Sequence, residues 1–155
     1  MDCLLISGYP STGKNLTTVR VAHFLLDIGY EHADGDPIPL RGTGDNFTAI
    51  LKHPNSKKQI LLNTKADFEV NAHQLIVFYR AHEPIDILIT SIRDAGPERN
   101  TMENEVRHLQ PINLVEIPLA RISGHRPDFN QALIAYLGRV EDLVKFILQG
   151  VPFQV

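Results

Sequence analysis

A glycine-rich turn between an apolar segment and a helical pattern constrains this chain more than any other feature. The apolar residues 3–6 lead through Ser7 into Gly8-Tyr9-Pro10-Ser11-Thr12-Gly13-Lys14-Asn15. In the spacing G-x-x-x-x-G-K, two glycines let the backbone turn tightly, successive N–H groups point at an anion, and the lysine adds a positive charge. Residues 16–28 predict a helix whose N-terminal amides face the same anion, and Gly29 suits its left-handed C-terminal cap. The stretch therefore predicts a strand, a phosphate-binding loop and a helix in succession.

The last position of this loop departs from the usual pattern. A Ser or Thr there places a hydroxyl on Mg²⁺, whereas this chain has Asn15, whose carbonyl oxygen can coordinate the ion with the added bulk of an amide. Asn15 is also the main argument for a simpler interpretation, a turn that merely joins a strand to a helix. The residues expected to contact a bound triphosphate are Gly8, Ser11, Thr12, Gly13, Lys14, Asn15 and Leu16.

Length and composition indicate one domain spanning residues 1–155. The chain of 155 residues is 43% hydrophobic and 21% charged, which is ordinary for a globular domain with a single core. No apolar run approaches the roughly 20 residues of a membrane span. Residues 1–3 lack the basic start of a secretory signal. We therefore expect a cytoplasmic protein with no membrane partner.

Charge and cysteine content narrow the classes of partner. The net charge of −3 gives no overall basic field for nucleic acid, so any anion must be held locally. The single cysteine, Cys3, cannot form an internal disulfide, and its place in the first strand predicts a buried, inert thiol. The histidines show no zinc-binding spacing. The apolar tail, residues 151–155, is expected to dock on the body or on a second subunit, which leaves a homodimer open.

The remaining pattern predicts strands alternating with helices, and therefore a doubly wound, parallel α/β sheet. Strands are expected at residues 30–34, 59–63, 86–92 and 113–117, and helices at residues 46–51, 66–82, 97–109 and 140–149. Residues 133–137 fit either a last short strand or a helical turn. Pro118 is expected to end the strand before it, because proline cannot donate to a ladder.

Charged residues follow several of the expected strands, and ligands of open α/β sheets bind beyond the carboxyl ends of strands. Asp34 and Asp36 would point into the same crevice as Lys14, either as contacts with a metal or substrate or as solvated turn acids. Arg93 directly follows the strand at residues 86–92. The loop at residues 121–127 either closes over phosphates or is a solvated connection.

Several short features, in order along the chain, carry a resemblance to a known family. They are Asp36-Pro37-Ile38, a core strand ending in Arg93, a basic turn after the next strand, and Gly138-Arg139-Val140-Glu141-Asp142-Leu143, which fits a terminal G-x-x-E-x-L helix. With its altered loop, the chain resembles the nucleoside and nucleotide kinase branch of the P-loop proteins, most closely the phage and bacterial deoxynucleoside monophosphate kinases. The resemblance implies the fold of the P-loop nucleoside triphosphate hydrolases, with a mostly parallel sheet flanked by helices.

The resemblance also implies an activity, which is ATP-dependent and Mg²⁺-dependent phosphoryl transfer to a small acceptor, above all a nucleoside or deoxynucleoside monophosphate. Such transfer depends on positioning and on stabilisation of charge on the phosphates. The implied catalytic residues are Lys14, Arg93, Arg121 and Arg126. Asp36, Arg41 and Arg93 are the candidates for substrate contacts, and Asn15, Asp36 and Asp94 are the candidates for metal ligands.

Two other functions stay open. Asn15 and the lack of an obvious acid at the end of a core strand favour a non-catalytic nucleotide-binding regulator or adaptor, which would have kept the loop and lost the metal site. A P-loop nucleoside triphosphate hydrolase is the third candidate, although no segment resembles a switch that positions water.

Overall fold

Strands and helices alternate along the chain in the computed structural model, which describes residues 1–65, 69–125 and 127–155. The strands in this part are β1 (Asp2–Gly8), β2 (Glu31–Gly35), β3 (Thr48–Lys52), β4 (Gln59–Asn63), β5 (Ile87–Arg93) and β6 (Asn113–Leu119). The helices are α1 (Lys14–Asp27), α2 (Glu69–Ala81), α3 (Pro97–His108) and α4 (Phe129–Gln149).

The strands of the described residues form one sheet in the order β2-β3-β4-β5-β1-β6. The four strands β4, β5, β1 and β6 run parallel, and β3 runs antiparallel to both of its neighbours. Helices α1 and α4 pack on one face of the sheet, and helices α2 and α3 pack on the other. The predicted α/β class, a mostly parallel sheet flanked by helices, is confirmed.

Strand β1 lies inside the sheet and is apolar on both faces, as a strand between two helix layers must be. Leu4 and Ile6 pack towards α1 and α4, whereas Cys3 and Leu5 pack towards α2 and α3. Burial raises the pKa of the Cys3 thiol to about 12, so the thiol stays protonated and unreactive near neutral pH. The prediction of a buried, inert thiol is confirmed.

The prediction of a helix over residues 46–51 is wrong, because strand β3 occupies Thr48–Lys52. A turn brings β3 back against β4 as an antiparallel hairpin. Residues 49–51 are all fully or almost fully buried. A short segment that is apolar on both faces satisfies its backbone in a ladder between two helix layers, whereas a single helical turn would leave one apolar face in water.

The end of strand β6 also differs from expectation. Strand β6 continues through Pro118 to Leu119, because β6 lies at the edge of the sheet, where a missing N–H breaks no ladder bond. The helix predicted over residues 66–82 is present as α2, while residues 66–68 of that prediction lie outside the described residues.

Helix α4 is one continuous helix, so the alternative of a strand at residues 133–137 is wrong. The helix passes through Gly138, although glycine costs about 1 kcal/mol relative to alanine inside a helix. Burial of one helix face outweighs that cost. The buried residues of this face are Leu137, Val140, Val144 and Leu148.

The C-terminal tail docks on the body of this same chain. Phe153 is 1% exposed within the core under α1 and α4, and the Lys58 ammonium donates to the carbonyl oxygens of Phe153 and Gln154 at 2.8 and 2.9 Å. Among the helices of the described residues, none has the length and apolar character needed to cross a bilayer.

Candidate functional site

The loop between β1 and α1 forms a tight turn closed by its own hydrogen bonds. The N–H and the hydroxyl of Thr12 both donate to the Tyr9 carbonyl oxygen, at 3.3 and 2.8 Å. Ser11 has φ +64° and Gly13 has φ +92°. Left-handed backbone at a non-glycine residue such as Ser11 is strained and concentrates at functional sites. The sequence-predicted turn is therefore present, with backbone strain stored at Ser11.

Both glycines of the motif are required by close contacts. A Cβ on Gly8 would lie 2.6 Å from Thr12 Oγ1 and 3.2 Å from Leu119 Cβ. A Cβ on Gly13 would lie 2.6 Å from a methyl group of Leu137, in addition to the strain of its positive φ. The motif glycines thus let α4 and the end of β6 approach the loop closely.

The Lys14 side chain folds back over the loop. Its ammonium donates to the carbonyl oxygens of Gly8 and Tyr9, each at 2.9 Å, and the residue is only 7% exposed. A lysine held in this way places a largely desolvated positive charge against the turn.

Helix α1 begins at Lys14 itself. Thr17 N–H donates to the Gly13 carbonyl oxygen at 2.8 Å, and Gly13 offers no side chain to cap the helix. The N–H groups of Asn15 and Leu16 in the first turn have no intrahelical acceptor, as in any helix start. Backbone donors, the helix dipole and the Lys14 ammonium therefore converge on one place.

A strap formed by residues 37–47 contacts α1 at His23 and Asp27 and ends beside this helix start. Asn15 Nδ2 donates to Asn46 Oδ1 at 2.9 Å, and a Cβ on Gly44 would lie 3.6 Å from the Leu16 nitrogen. The Nδ2 group of Asn15 thus donates to the strap, a contact that the sequence alone did not predict because Asn46 is 31 residues away.

Arg93 lies where it was expected, beside the loop. In the sheet, Gly8 is level with Arg93 of β5 on one side and with Leu119 of β6 on the other. Asp94 follows Arg93 directly and is exposed. The structure therefore brings Lys14, Arg93 and Asp94 to the same end of the sheet, where the parallel strands β1 and β5 end.

Arg121 is engaged with an aromatic ring of the loop. Its guanidinium lies 4.9 Å from the centroid of Tyr9, a cation–π geometry. Both residues line a cavity of about 380 Å³ together with Thr12, Phe129 and Leu133 of the loop and α4. The role of Tyr9 was missed because aromatic residues carry no meaning at the variable positions of the motif. Arg126 lies outside the described residues.

The structure does not bring Asp34, Asp36 or Arg41 to the loop. Strand β2 lies four strand spacings from β1, or about 19 Å. Asp36 accepts from the Lys65 ammonium at 2.7 Å, which lowers the pKa of its carboxyl group. Arg41 pairs with Asp27 at the far end of α1, 13 residues or about 20 Å from Lys14.

The candidate metal ligands divide in the same way. Asn15 and Asp94 lie beside the loop, whereas Asp36 is at the same carboxyl end of the sheet but is separated from the loop by β3, β4 and β5. No group of three or more His, Cys, Asp or Glu side chains within the described ranges could hold a metal ion. A magnesium ion that is bound together with a nucleotide is commonly held by one or two protein oxygens and by substrate phosphates.

Comparison of this chain with protein-family models, with curated proteins and with solved structures found no match. The geometry of the loop and its surroundings is therefore what bears on function.

Proposed function

We propose that this protein binds a nucleoside triphosphate at residues 8–16 and transfers its γ-phosphoryl group to a small acceptor, above all a nucleoside or deoxynucleoside monophosphate. The observation that carries the proposal is the Lys14 ammonium, held over the turn by the Gly8 and Tyr9 carbonyl oxygens at the start of α1. A buried lysine, a glycine turn and a helix start together favour a polyphosphate over a single carboxylate.

The fold and the location are inferred from the same arrangement. A loop between an inner parallel strand and a helix, with β1 flanked by β5 and β6, supports the P-loop nucleoside triphosphate hydrolase fold. A phosphate donor of this kind is most abundant in the cytoplasm, where we place the protein.

In this mechanism the chain supplies positioning and charge. Lys14 neutralises charge on the β- and γ-phosphate oxygens, and the first amides of α1 hold the β-phosphate. Arg93, at the end of β5, stabilises the charge that develops on the transferred group. Magnesium, when it is bound to the triphosphate, would supply further charge neutralisation, with Asn15 and Asp94 as its candidate oxygen donors.

Binding of ATP to the Lys14→Ala variant tests the proposal. We expect titration calorimetry to show affinity weakened more than tenfold, because a desolvated charged contact contributes about 1.5–3 kcal/mol. Lys52→Ala is the matched control. Lys52 ends the antiparallel strand β3 and so lies at the opposite end of the sheet, where the parallel strands begin. Equal affinity of Lys14→Ala and the parent would overturn the proposal.

A non-catalytic nucleotide sensor is the second candidate. It is favoured by Asn15 at the position of the usual hydroxyl and by the separation of Asp36 from the loop. Incubation with MgATP and a panel of nucleoside monophosphates separates the functions. A kinase forms ADP only when an acceptor is present, a hydrolase forms ADP and phosphate without one, and a sensor binds ATP and forms neither.

A further inference from the structure

One guanidinium, that of Arg99, joins the last residue of β5 to the middle of β6, the two strands that flank β1. Its Nη1 donates to the Arg93 carbonyl oxygen at 3.1 Å and to Glu116 Oε1 at 2.9 Å, and its Nη2 donates to Glu116 Oε2 at 3.0 Å. Nη2 also lies 3.2 Å from Glu103 Oε2, one turn further along α3. The Arg99 side chain is 19% exposed.

These contacts involve each of the three strands β5, β6 and β1 from which the candidate site begins. Arg93 is the last residue of β5, and Glu116 of β6 is level with Leu5 of β1. The Arg99 hydrogen bonds lower the pKa of Glu116, and a hydrogen bond from the Ser7 hydroxyl lowers it further. Ser7 directly precedes Gly8, so the ion pair acts on β1 immediately before the loop.

We propose that Arg99 is a positioning residue of the phosphate site, whose guanidinium sets the place of Arg93 and of strand β6 relative to β1 and its last residue, Gly8. This inference rests on the proposed function. Arg99 itself does not touch the anion; it acts through the backbone of Arg93 and through the carboxylate of Glu116.

The chemistry of arginine explains why this residue type stands here. A guanidinium is planar and has five N–H donors in a fixed fork, so it can grip both oxygens of a carboxylate and a backbone carbonyl at once. The ammonium of a lysine has the same charge but cannot span these acceptors. A misplacement of about 1 Å can reduce a rate about a hundredfold. The rigid set of hydrogen bonds made by Arg99 therefore matters for function.

The first test compares two arginines of α3. Arg99→Lys keeps the charge and loses the fork. Arg107→Lys is the matched control, because Arg107 also binds Glu103 but is 61% exposed and lies three turns from the helix start. Calorimetry with ATP and with inorganic tripolyphosphate should show affinity weakened about tenfold or more for Arg99→Lys and changed less than about twofold for Arg107→Lys.

A double-mutant cycle with Arg93→Ala separates positioning from a merely structural role. If Arg99 acts through Arg93, the loss caused by Arg99→Lys shrinks to about a third or less in the Arg93→Ala background. A structural role would give the same fold loss in both backgrounds, and that result would overturn the inference. Glu116→Gln, which keeps the shape of the side chain, provides the second variant if Arg99→Lys does not fold.

The outcomes of these experiments distinguish the inference from the proposed function. If the parent binds neither ATP nor tripolyphosphate, both are wrong. If the parent binds and Lys14→Ala binds weakly, while Arg99→Lys and Glu116→Gln bind as the parent does, the phosphate site stands and only the role of Arg99 is wrong. Coupled losses at Arg99 and Arg93 support both.

Discussion

Single polar side chains decide how the loop is joined to the rest of the molecule. Asn15 stands at the position where a hydroxyl usually meets Mg²⁺, and its amide instead reaches Asn46 of the strap. The same residue therefore sits at a candidate metal position and at a structural contact. Substitution can separate these two roles.

Asn15→Thr is expected to keep or raise MgATP-dependent turnover, because it restores the hydroxyl that commonly contacts the ion. Asn46→Ala is the control, since it removes the same side-chain hydrogen bond without changing position 15. Initial rates of ADP formation provide the measurement. A loss of turnover in folded Asn15→Thr, with Asn46→Ala unaffected, would show that the amide of Asn15 is required.

His82, the residue after α2, forms a pH-dependent contact with Asp34 of β2. Its ring donates to the Phe78 carbonyl oxygen at 2.7 Å and to Asp34 at 2.9 Å, which raises its pKa above 6.5. The stabilisation is therefore complete below the unfolded pKa and lost as pH rises through the folded pKa. The difference in Tm between the parent and His82→Gln should be larger near about pH 6 than near about pH 9. Equal differences would contradict this assignment.

The residues of the site were predictable to the extent that their roles are local in sequence. Gly8, Gly13 and Lys14 follow from a motif of adjacent positions, and Arg93 follows from its place after an apolar strand. Arg99 was not identified, because its contacts with Arg93 and Glu116 depend on how α3 packs against two separate strands. Asp36 shows the opposite failure, since its distance from the loop depends on strand order.

At the scale of elements, α4 both covers the core and approaches the loop. Leu137 of this helix is the residue that a side chain at Gly13 would meet, at 2.6 Å. Gly138, the next residue of α4, has no atom within 4 Å of where its Cβ would lie. We therefore expect Gly13 and Gly138 to respond in opposite ways to substitution by alanine.

Gly13→Ala should destabilise the protein by about 1–2 kcal/mol or more, from left-handed backbone alone, with a further loss from the clash with Leu137. Gly138→Ala should stabilise it by about 0.5–1 kcal/mol, because alanine is the better residue inside a helix. Urea unfolding of both variants gives the comparison. Destabilisation by Gly138→Ala would mean that α4 is packed more tightly on that side than the structure shows.

Elements were predictable where local signals mark their ends, as for α1 between the glycine motif and Gly29 and for α3 between Pro97 and Pro111. Strand β3 was not, since five residues carry too little periodicity to separate a strand from a helical turn, and its pairing with β4 decides the outcome. The continuity of α4 through Gly138 likewise depends on buried residues on both sides of the glycine. Tertiary packing overrides local propensity in both cases.

At the scale of the whole molecule, the C-terminal tail contributes a buried side chain to the hydrophobic core between the sheet and helices α1 and α4. Phe153 packs with residues of α1 and α4, and Lys58 from the β3–β4 hairpin fixes the backbone around it. The described residues thus include one core on each face of the sheet, and the tail belongs to the face that carries the loop.

Phe153→Ala should lower the free energy of unfolding by about 3–5 kcal/mol, as expected for removal of a fully buried ring. Phe146→Ala is the matched control, because Phe146 is 76% exposed and should change stability by no more than about 0.5 kcal/mol. Guanidinium unfolding followed by circular dichroism gives both values. Similar losses for the two variants would show that the tail does not dock as described.

The two outer edges of the sheet in the described residues, β2 and β6, are each interrupted. β2 has a register shift between His32 and Asp34, and β6 contains Pro118, which lacks an N–H. Irregular edges with missing donors discourage strands of another molecule from adding to the sheet. At high concentration, intermolecular β-pairing and fibril growth are therefore disfavoured at both edges, and self-association would have to use helix surfaces instead.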